Sequence, residues 1–279
     1  MENILACPIC QSKLTKDLTC GKCGAMYVHK LGVFDLLSEK LSGDQHSLWG
    51  IDESVFDNDA ELQAHAEQQK ANVEDYHAHM NDETKTAQAK LREFTDSVLQ
   101  EVSGVVCDLA TGNGGMLANV LEKSKADKIV CTDIDPLVLA RTRIRRKTDD
   151  KKVFYVASDG RYMSLQDNSF DYVTSLAGLG NVPETEKVVA ELYRILKPGG
   201  IFLMESTYME AGSRSHAIAK EYQLDKGLIE EELVACLRDA GFSKVESTVV
   251  DTAIWAENPY DLLPVAGDRQ KFCLIKATK

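Results

Sequence analysis

The sequence predicts an α/β protein: a doubly wound, mostly parallel sheet of seven strands, preceded by a small cysteine-rich unit and a helical linker. Three observations predict it. From residue 105 onward, apolar runs rich in Val and Ile alternate with helix-like stretches, as in a parallel sheet with crossover helices. The first of these runs ends in Asp108 and turns through Ala110-Thr111-Gly112-Asn113-Gly114-Gly115. Ahead of everything stand two C-x-x-C pairs, Cys7-Cys10 and Cys20-Cys23.

Taken in chain order, the cysteines come first. The two pairs are nine residues apart, a spacing that lets four thiolates close a tetrahedron around one zinc ion. Four sulfur ligands leave no position for water, so the expected metal is structural, held by Cys7, Cys10, Cys20 and Cys23. Residues 27–37 read as a strand and turn packing on this ribbon, which spans 1–40. His29 is an alternative ligand by type, but reads as a surface or packing residue. A ribbon that stands apart from the core predicts that Cys7→Ser unfolds it and leaves cofactor affinity largely intact. Cys107, Cys131, Cys236 and Cys273 lie among apolar residues and read as reduced core thiols.

Residues 41–100 carry four basic and thirteen acidic side chains, against net charges of +1 before them and −4 after. Helices are expected over 60–76 and 84–100, the second with Leu91, Phe94, Val98 and Leu99 on one face. The segment reads as a linker or a mobile cap over the active site. His77 and His79 lie on different helix faces and read as solvated.

The core spans 101–279. Strands are expected at 105–109, 128–132, 153–157, 170–175, 201–205, 243–250 and 270–277, with helices at 116–123, 136–147, 184–197 and 230–240. Such sheets bind ligands beyond the carboxyl ends of their strands. Asp108, Asp133 and Asp159 each follow a strand on that edge. Asp133 stands 21 residues past Gly112, where a carboxylate holds ribose hydroxyls. Asp159 is placed to receive an exocyclic adenine amine. A dinucleotide fingerprint requires glycine at position 117, which is Leu117, so the expected cofactor bears a nucleoside and no phosphates.

These motifs together resemble the class I S-adenosylmethionine-dependent methyltransferases, over roughly residues 100–279. Asp108-Leu109-Ala110-Thr111-Gly112-Asn113-Gly114 resembles their first motif, Thr132-Asp133-Ile134-Asp135-Pro136 the second and Ser158-Asp159-Gly160 the third. Ser169-Phe170-Asp171-Tyr172-Val173 and the stretch 194–201 resemble the later landmarks. Ala110 in place of a glycine, with Gly178-Leu179-Gly180-Asn181-Val182, resembles the ubiquinone/menaquinone C-methyltransferase branch. The resemblance implies a Rossmann-like fold and a role for each position. Ala110, Thr111, Gly112 and Gly114 would cradle the methionine portion, with Asp108 near its ammonium. Asp133 would hold the ribose and Ile134 pack on the adenine. Asp159 and Gly160 would face the adenine edge, and Leu176 and Ala177 would close the pocket.

The chemistry so implied is an in-line displacement in which orientation supplies much of the acceleration. No catalytic residue is assigned. Tyr208, Glu210 and His216, expected in a loop after the fifth strand, and Trp255 and Tyr260 are acceptor-side candidates. The acceptor is expected to be a small or medium-sized organic molecule. A base of structured RNA is the alternative, since the ribbon is similar to that of zinc-ribbon rRNA guanine methyltransferases and residues 27–37 resemble small zinc-ribbon activators of methyltransferases. Arg141, Arg143, Arg145, Arg146, Lys147, Lys151 and Lys152 form a basic run, read as a solvated helix face with its cations near the helix C-terminus. The overall charge of −12 repels polyanions. A non-catalytic cofactor- or partner-binding module is a third reading, and the oligomeric state is left open. No apolar run reaches the roughly 20 residues of a membrane helix, so a cytoplasmic location is expected.

Overall fold

The computed structural model describes residues 3–42 and 59–279. The part of the expected linker at 43–58 lies outside the described residues. Among the described residues nine strands form one sheet. They are β1 (Val28–Lys30), β2 (Val33–Asp35), β3 (Ser103–Asp108), β4 (Lys125–Asp133), β5 (Val153–Ala157), β6 (Phe170–Leu176), β7 (Leu196–Met209), β8 (Lys244–Ile254) and β9 (Arg269–Thr278). The helices are α1 (Glu39–Ser42), α2 (Asp59–Ala78), α3 (Asp82–Leu99), α4 (Gly115–Lys123), α5 (Pro136–Arg146), α6 (Thr185–Ile195), α7 (Arg214–Glu221), α8 (Asp225–Leu228) and α9 (Glu230–Asp239).

The strand order is β1-β2-β5-β4-β3-β6-β7-β9-β8. β5, β4, β3, β6 and β7 run parallel, β9 is antiparallel to β7, and β8 to β9. This is the expected seven-stranded sheet, wound outward from a switch point between β3 and β6. Two strands are added at one edge. Residues 28–35, expected to pack on the ribbon, instead form a hairpin whose β2 pairs parallel with β5, Phe34 opposite Val156. Val33, Leu36 and Leu37 are buried, and burial of such side chains stabilises by about 1.5–3 kcal/mol each. Covering the β5 edge is therefore favoured over a free-standing ribbon.

One face of the sheet packs Val188, Leu192 and Ile195 of α6 with Leu233 and Leu237 of α9. The other packs Leu117 and Val120 of α4 with Leu137, Leu139 and Ala140 of α5. α5 begins where expected because Asp135 accepts the Leu137 and Val138 N–H groups at 2.8 and 3.3 Å, with Pro136 at its first position. α3 starts likewise at Asn81, which accepts from Thr84 N at 2.7 Å. Leu91 of α3 then packs with Met80, Trp255, Phe272 and Leu274 in a third cluster over β8 and β9. α2 lies on α5 through Leu62 and Ala66. No described helix is long and apolar enough to cross a membrane.

β7 differs most from expectation. The preceding helix ends at Ile195, and the strand runs on through Ser206–Met209, which pair with β9 as far as Met209 opposite Gln270. The first four residues of the acceptor loop expected over 206–216 are thus strand, because an antiparallel neighbour is present to hydrogen-bond them, and its last three begin α7.

Candidate active site

The glycine-rich turn after β3 is built from positive backbone angles. Ala110, Gly112 and Gly114 have φ of 48°, 50° and 69°, the left-handed region that an alanine enters at a cost. Close packing holds Ala110 there: a Cβ on Gly178 would fall 2.5 Å from the Ala110 Cβ. Leu109 N donates to Thr174 O and Thr111 N to Thr132 O, both at 2.8 Å. α5 clasps the turn from the other side. Thr142 Oγ1 donates to Gly112 O at 2.8 Å, and the Arg145 and Arg146 guanidiniums both donate to Asn113 O.

A cavity of about 460 Å³ opens above this turn, within the size range of small-molecule sites. Ala110, Thr111, Gly112, Asp133, Ile134, Asp159, Gly160 and Leu176 all line it. Asp108 and Gly114 do not. Gly114 instead caps α4, where a Cβ would meet Thr142 Cγ2 at 2.7 Å. Asp108 is fully buried beneath the turn, its Oδ1 accepting from Thr174 Oγ1 at 3.1 Å and its Oδ2 without a partner. Burial pushes its carboxyl up to about 7. Its carboxylate is thus set back from the cavity, and nearness to a cofactor ammonium, expected either directly or through water, would here need the water.

The other two acids differ in availability. Asp133 Oδ2 accepts from Gly112 N at 2.9 Å and Oδ1 from Asp135 N at 3.1 Å. These bonds aim it along the cavity wall, and burial raises its pKa. Asp159 is engaged by Arg161: Oδ1 accepts from the backbone N and Nε at 2.9 and 3.0 Å, and Oδ2 from Nη2 at 2.7 Å. Arg161 also reaches Glu184 Oε1 at 2.9 Å. An adenine amine at Asp159 would share a carboxylate already forked by a guanidinium. Sequence reasoning passed over Arg161 entirely.

A second cavity, about 770 Å³, adjoins the first, and Asn113, Gly115 and Leu176 line both. Its walls come from elements the sequence left as a linker and an insertion. Tyr76 of α2, Met80, Leu91, Trp255, Tyr260 and Phe272 make it largely apolar. Asp261 ties this wall together, accepting from Trp255 Nε1 at 2.9 Å and Tyr76 Oη at 3.5 Å, while Tyr260 donates to Asp75 of α2. Polar side chains enter the same wall, among them His77, Lys85, Gln88 and an ion pair, Arg92 Nη2 to Glu205 Oε1 at 3.1 Å.

Of the acceptor-side candidates, Trp255 and Tyr260 line this cavity and the others do not. Tyr208 is fully buried in the core. Glu210 lies 3.8 Å from Arg269, and His216 Nδ1 accepts from Gly212 N at 2.8 Å. The signal that would have found Arg92 was present: Lys85, Gln88 and Arg92 form a polar helical stripe beside the apolar one at 91, 94 and 98.

The four N-terminal thiols converge, their Sγ atoms all within 4.8 Å of one another. Cys7 to Cys23 and Cys10 to Cys20 are each 3.5 Å, close to the ~3.8 Å edge of a tetrahedron with Zn–S bonds of about 2.3 Å. The Tyr27 hydroxyl sits 3.3 Å from Cys7 Sγ, a donor of the kind that supports thiolate ligands. The residues fit a zinc ion. His29 is no ligand; its ring stacks on Phe34 at 4.3 Å.

The fold is that of the Rossmann-like methyltransferases, and residues 107–204 match the methyltransferase domain family. In sequence the chain is similar to a demethylmenaquinone methyltransferase of Thermus thermophilus, 32% identical over 109 residues, covering 39% of this chain and 50% of that one. A demethylmenaquinone methyltransferase of Leptospira interrogans is 26% identical over 166 residues, 58% of this chain and 59% of that one. The sterol 24-C-methyltransferase of Schizosaccharomyces pombe is 28% identical over 180 residues, 60% and 46% of the two chains. The chain thus spans about half the length of the curated relatives it matches. Among solved structures, Haemonchus contortus phosphoethanolamine N-methyltransferase 2 in complex with S-adenosyl-L-methionine superposes with a TM-score of 0.51 at 19% identity, covering 67% of this chain and 52% of that one.

Proposed function

We propose that this protein is an S-adenosylmethionine-dependent methyltransferase acting in the cytoplasm on a small or medium-sized, largely apolar organic acceptor, with a structural zinc ion on Cys7, Cys10, Cys20 and Cys23. The observation that carries this reading is the junction of two cavities at Asn113, Gly115 and Leu176. The smaller has the acids and glycines of a nucleoside site, and the larger has aromatic walls. Bound S-adenosylmethionine would supply an electrophilic sulfonium methyl.

In this reading Asp133 holds the ribose, Ile134 and Gly160 flank the purine, and the 110–114 turn receives the amino-acid end. Leu176 and Ala177 exclude water where the two ligands meet, and Trp255 with Tyr76 orients the acceptor. Holding two reactants in line is itself a large part of the acceleration.

The basic run does not favour RNA. Arg143 bonds Asp150, Arg145 and Arg146 hold Asn113 O, and α2 packs over the same helix. The test is transfer of radiolabel from S-[methyl-14C]adenosylmethionine to reduced demethylmenaquinone, to a sterol and to ribosomal RNA in parallel. Label is expected in an organic-soluble product. Label confined to RNA, or no calorimetric binding of either S-adenosylmethionine or S-adenosylhomocysteine, overturns the reading.

A further inference from the structure

Among the described residues, Glu205 is the one carboxylate in the wall of the larger cavity. Its side chain is 8% exposed, one oxygen meets Arg92 at 3.1 Å, and Oε2 is buried without a hydrogen-bond partner. A buried acid half-satisfied in this way is costly unless something else completes it. Its place is fixed by the sheet. Glu205 sits in β7 opposite Leu176 of β6, and its carbonyl accepts from Ala177 N at 2.9 Å. Leu176 lines both cavities, so the carboxylate stands on the strand next to the point where donor and acceptor meet.

We propose that Glu205 is a catalytic residue, the proton acceptor for a hydroxyaromatic substrate seated in the larger cavity, and that Arg92 is its positioning residue. This rests on the methyltransferase reading above. The acceptor O–H breaks and its proton passes to the Glu205 carboxylate. The electron pair left on the acceptor drives attack by its oxygen, or by a conjugated ring carbon, on the sulfonium methyl. The methyl–sulfur bond breaks with its pair on sulfur, giving neutral S-adenosylhomocysteine. If carbon attacks, the resulting dienone regains aromaticity by moving its ring proton to the oxygen.

Burial raises the Glu205 pKa above the ordinary glutamate value; Arg92 and Thr95 of α3 oppose that rise, and Asp96 of α3 adds to it. The other titratable groups in this cavity are Tyr76 and His77 of α2, Lys85 of α3 and Tyr260 between β8 and β9. The neighbours on β6 and β9, Leu176 and Leu274, are apolar.

The test uses the full chain with reduced demethylmenaquinone as probe, comparing wild type with E205Q and R92Q. For wild type, kcat should rise with pH through an acid limb. E205Q should lose that limb and fall about 10²-fold or more in kcat, with calorimetric affinity for S-adenosylmethionine unchanged. R92Q, having lost the cation that favours the carboxylate, should shift the limb to higher pH. Retention of the limb in E205Q overturns the proposal.

If wild type binds the cofactor but leaves this probe unmethylated, the acceptor assignment fails and a second arm still decides on Glu205. Infrared difference spectra of wild type minus E205Q, both saturated with S-adenosylhomocysteine, should show a protonated carboxyl that titrates away above the ordinary glutamate range. R92Q should raise its midpoint. A carboxyl that titrates at or below the ordinary glutamate value, or that never ionises while the protein stays folded, overturns the assignment.

Discussion

Asp108 and Asp133 share one strand-end edge and one side-chain chemistry, yet the fold gives them opposite work. Asp133 faces the smaller cavity with two backbone N–H partners, whereas Asp108 is sealed below the turn with Oδ2 unpartnered. Asp133→Ala should weaken S-adenosylmethionine binding about tenfold or more, the scale of a hydrogen bond to a charged group, as calorimetry would read. Asp108 should be visible instead in stability. Its folded pKa of about 7 lies above the ordinary aspartate value, so the folded state keeps a proton that the unfolded chain gives up. That contribution is complete below about pH 4 and is lost as pH rises toward 7. Urea unfolding of Asp108→Asn beside wild type should therefore show a variant with a flatter profile, by up to about 1.4 kcal/mol per pH unit between pH 5 and 6. Parallel profiles would mean that Asp108 is ionised in the fold.

At the scale of elements, α5 connects the two ends of the site. Its Thr142, Arg145 and Arg146 hold the Gly112 and Asn113 carbonyls, and α2 rests on it while presenting Tyr76 to the larger cavity. The double variant R145A/R146A should raise the Kd for S-adenosylmethionine several-fold by freeing the turn. Its melting temperature should move little, since both side chains are partly solvated. Were RNA the substrate, the same variant would instead abolish a salt-dependent RNA affinity, which a filter-binding titration would detect. The strands, α4, α5 and the glycine turn were legible because each repeats its apolar residues at one period between recognisable caps. On the cofactor side, the residues at fixed offsets from strand ends line the smaller cavity, apart from Asp108 and Gly114. On the acceptor side only Trp255 and Tyr260, aromatic residues in the insertion, were legible. Tyr76, Arg92, Glu205 and Phe272 come from four elements, α2, α3, β7 and β9, and only the tertiary fold brings them together. The loop expected over 206–216 gave way at 206–209 because strand length depends on a neighbour, here β9, that local sequence does not reveal.

For the whole molecule, the cysteine cluster is wired into the core. Ala6 N donates to Ser164 O at 2.9 Å, Gln166 N to Ile4 O at 2.7 Å, and Leu5 bridges to Leu165. On the other side of the cluster, Leu36 N donates to Ala157 O at 3.1 Å, and Ser164 Oγ, itself 3.3 Å from Ser158 Oγ, donates to Leu36 O at 3.1 Å. The chain segments on both sides of the cluster therefore grip residues 157–166, the segment that carries Asp159, Gly160 and Arg161 into the smaller cavity. A metal held at the proposed Cys7, Cys10, Cys20 and Cys23 site would thus help shape the proposed cofactor site, since binding energy at such clusters is folding energy. These contacts predict the opposite of the sequence expectation that Cys7→Ser would spare the cofactor. The variant, or chelation of the wild-type metal, should weaken S-adenosylmethionine binding at least several-fold. Amide exchange should quicken across 158–166 while β8 and β9, far along the sheet, stay protected. Unchanged exchange at 158–166 in protein shown to have lost its metal would restore the picture of an independent appendage.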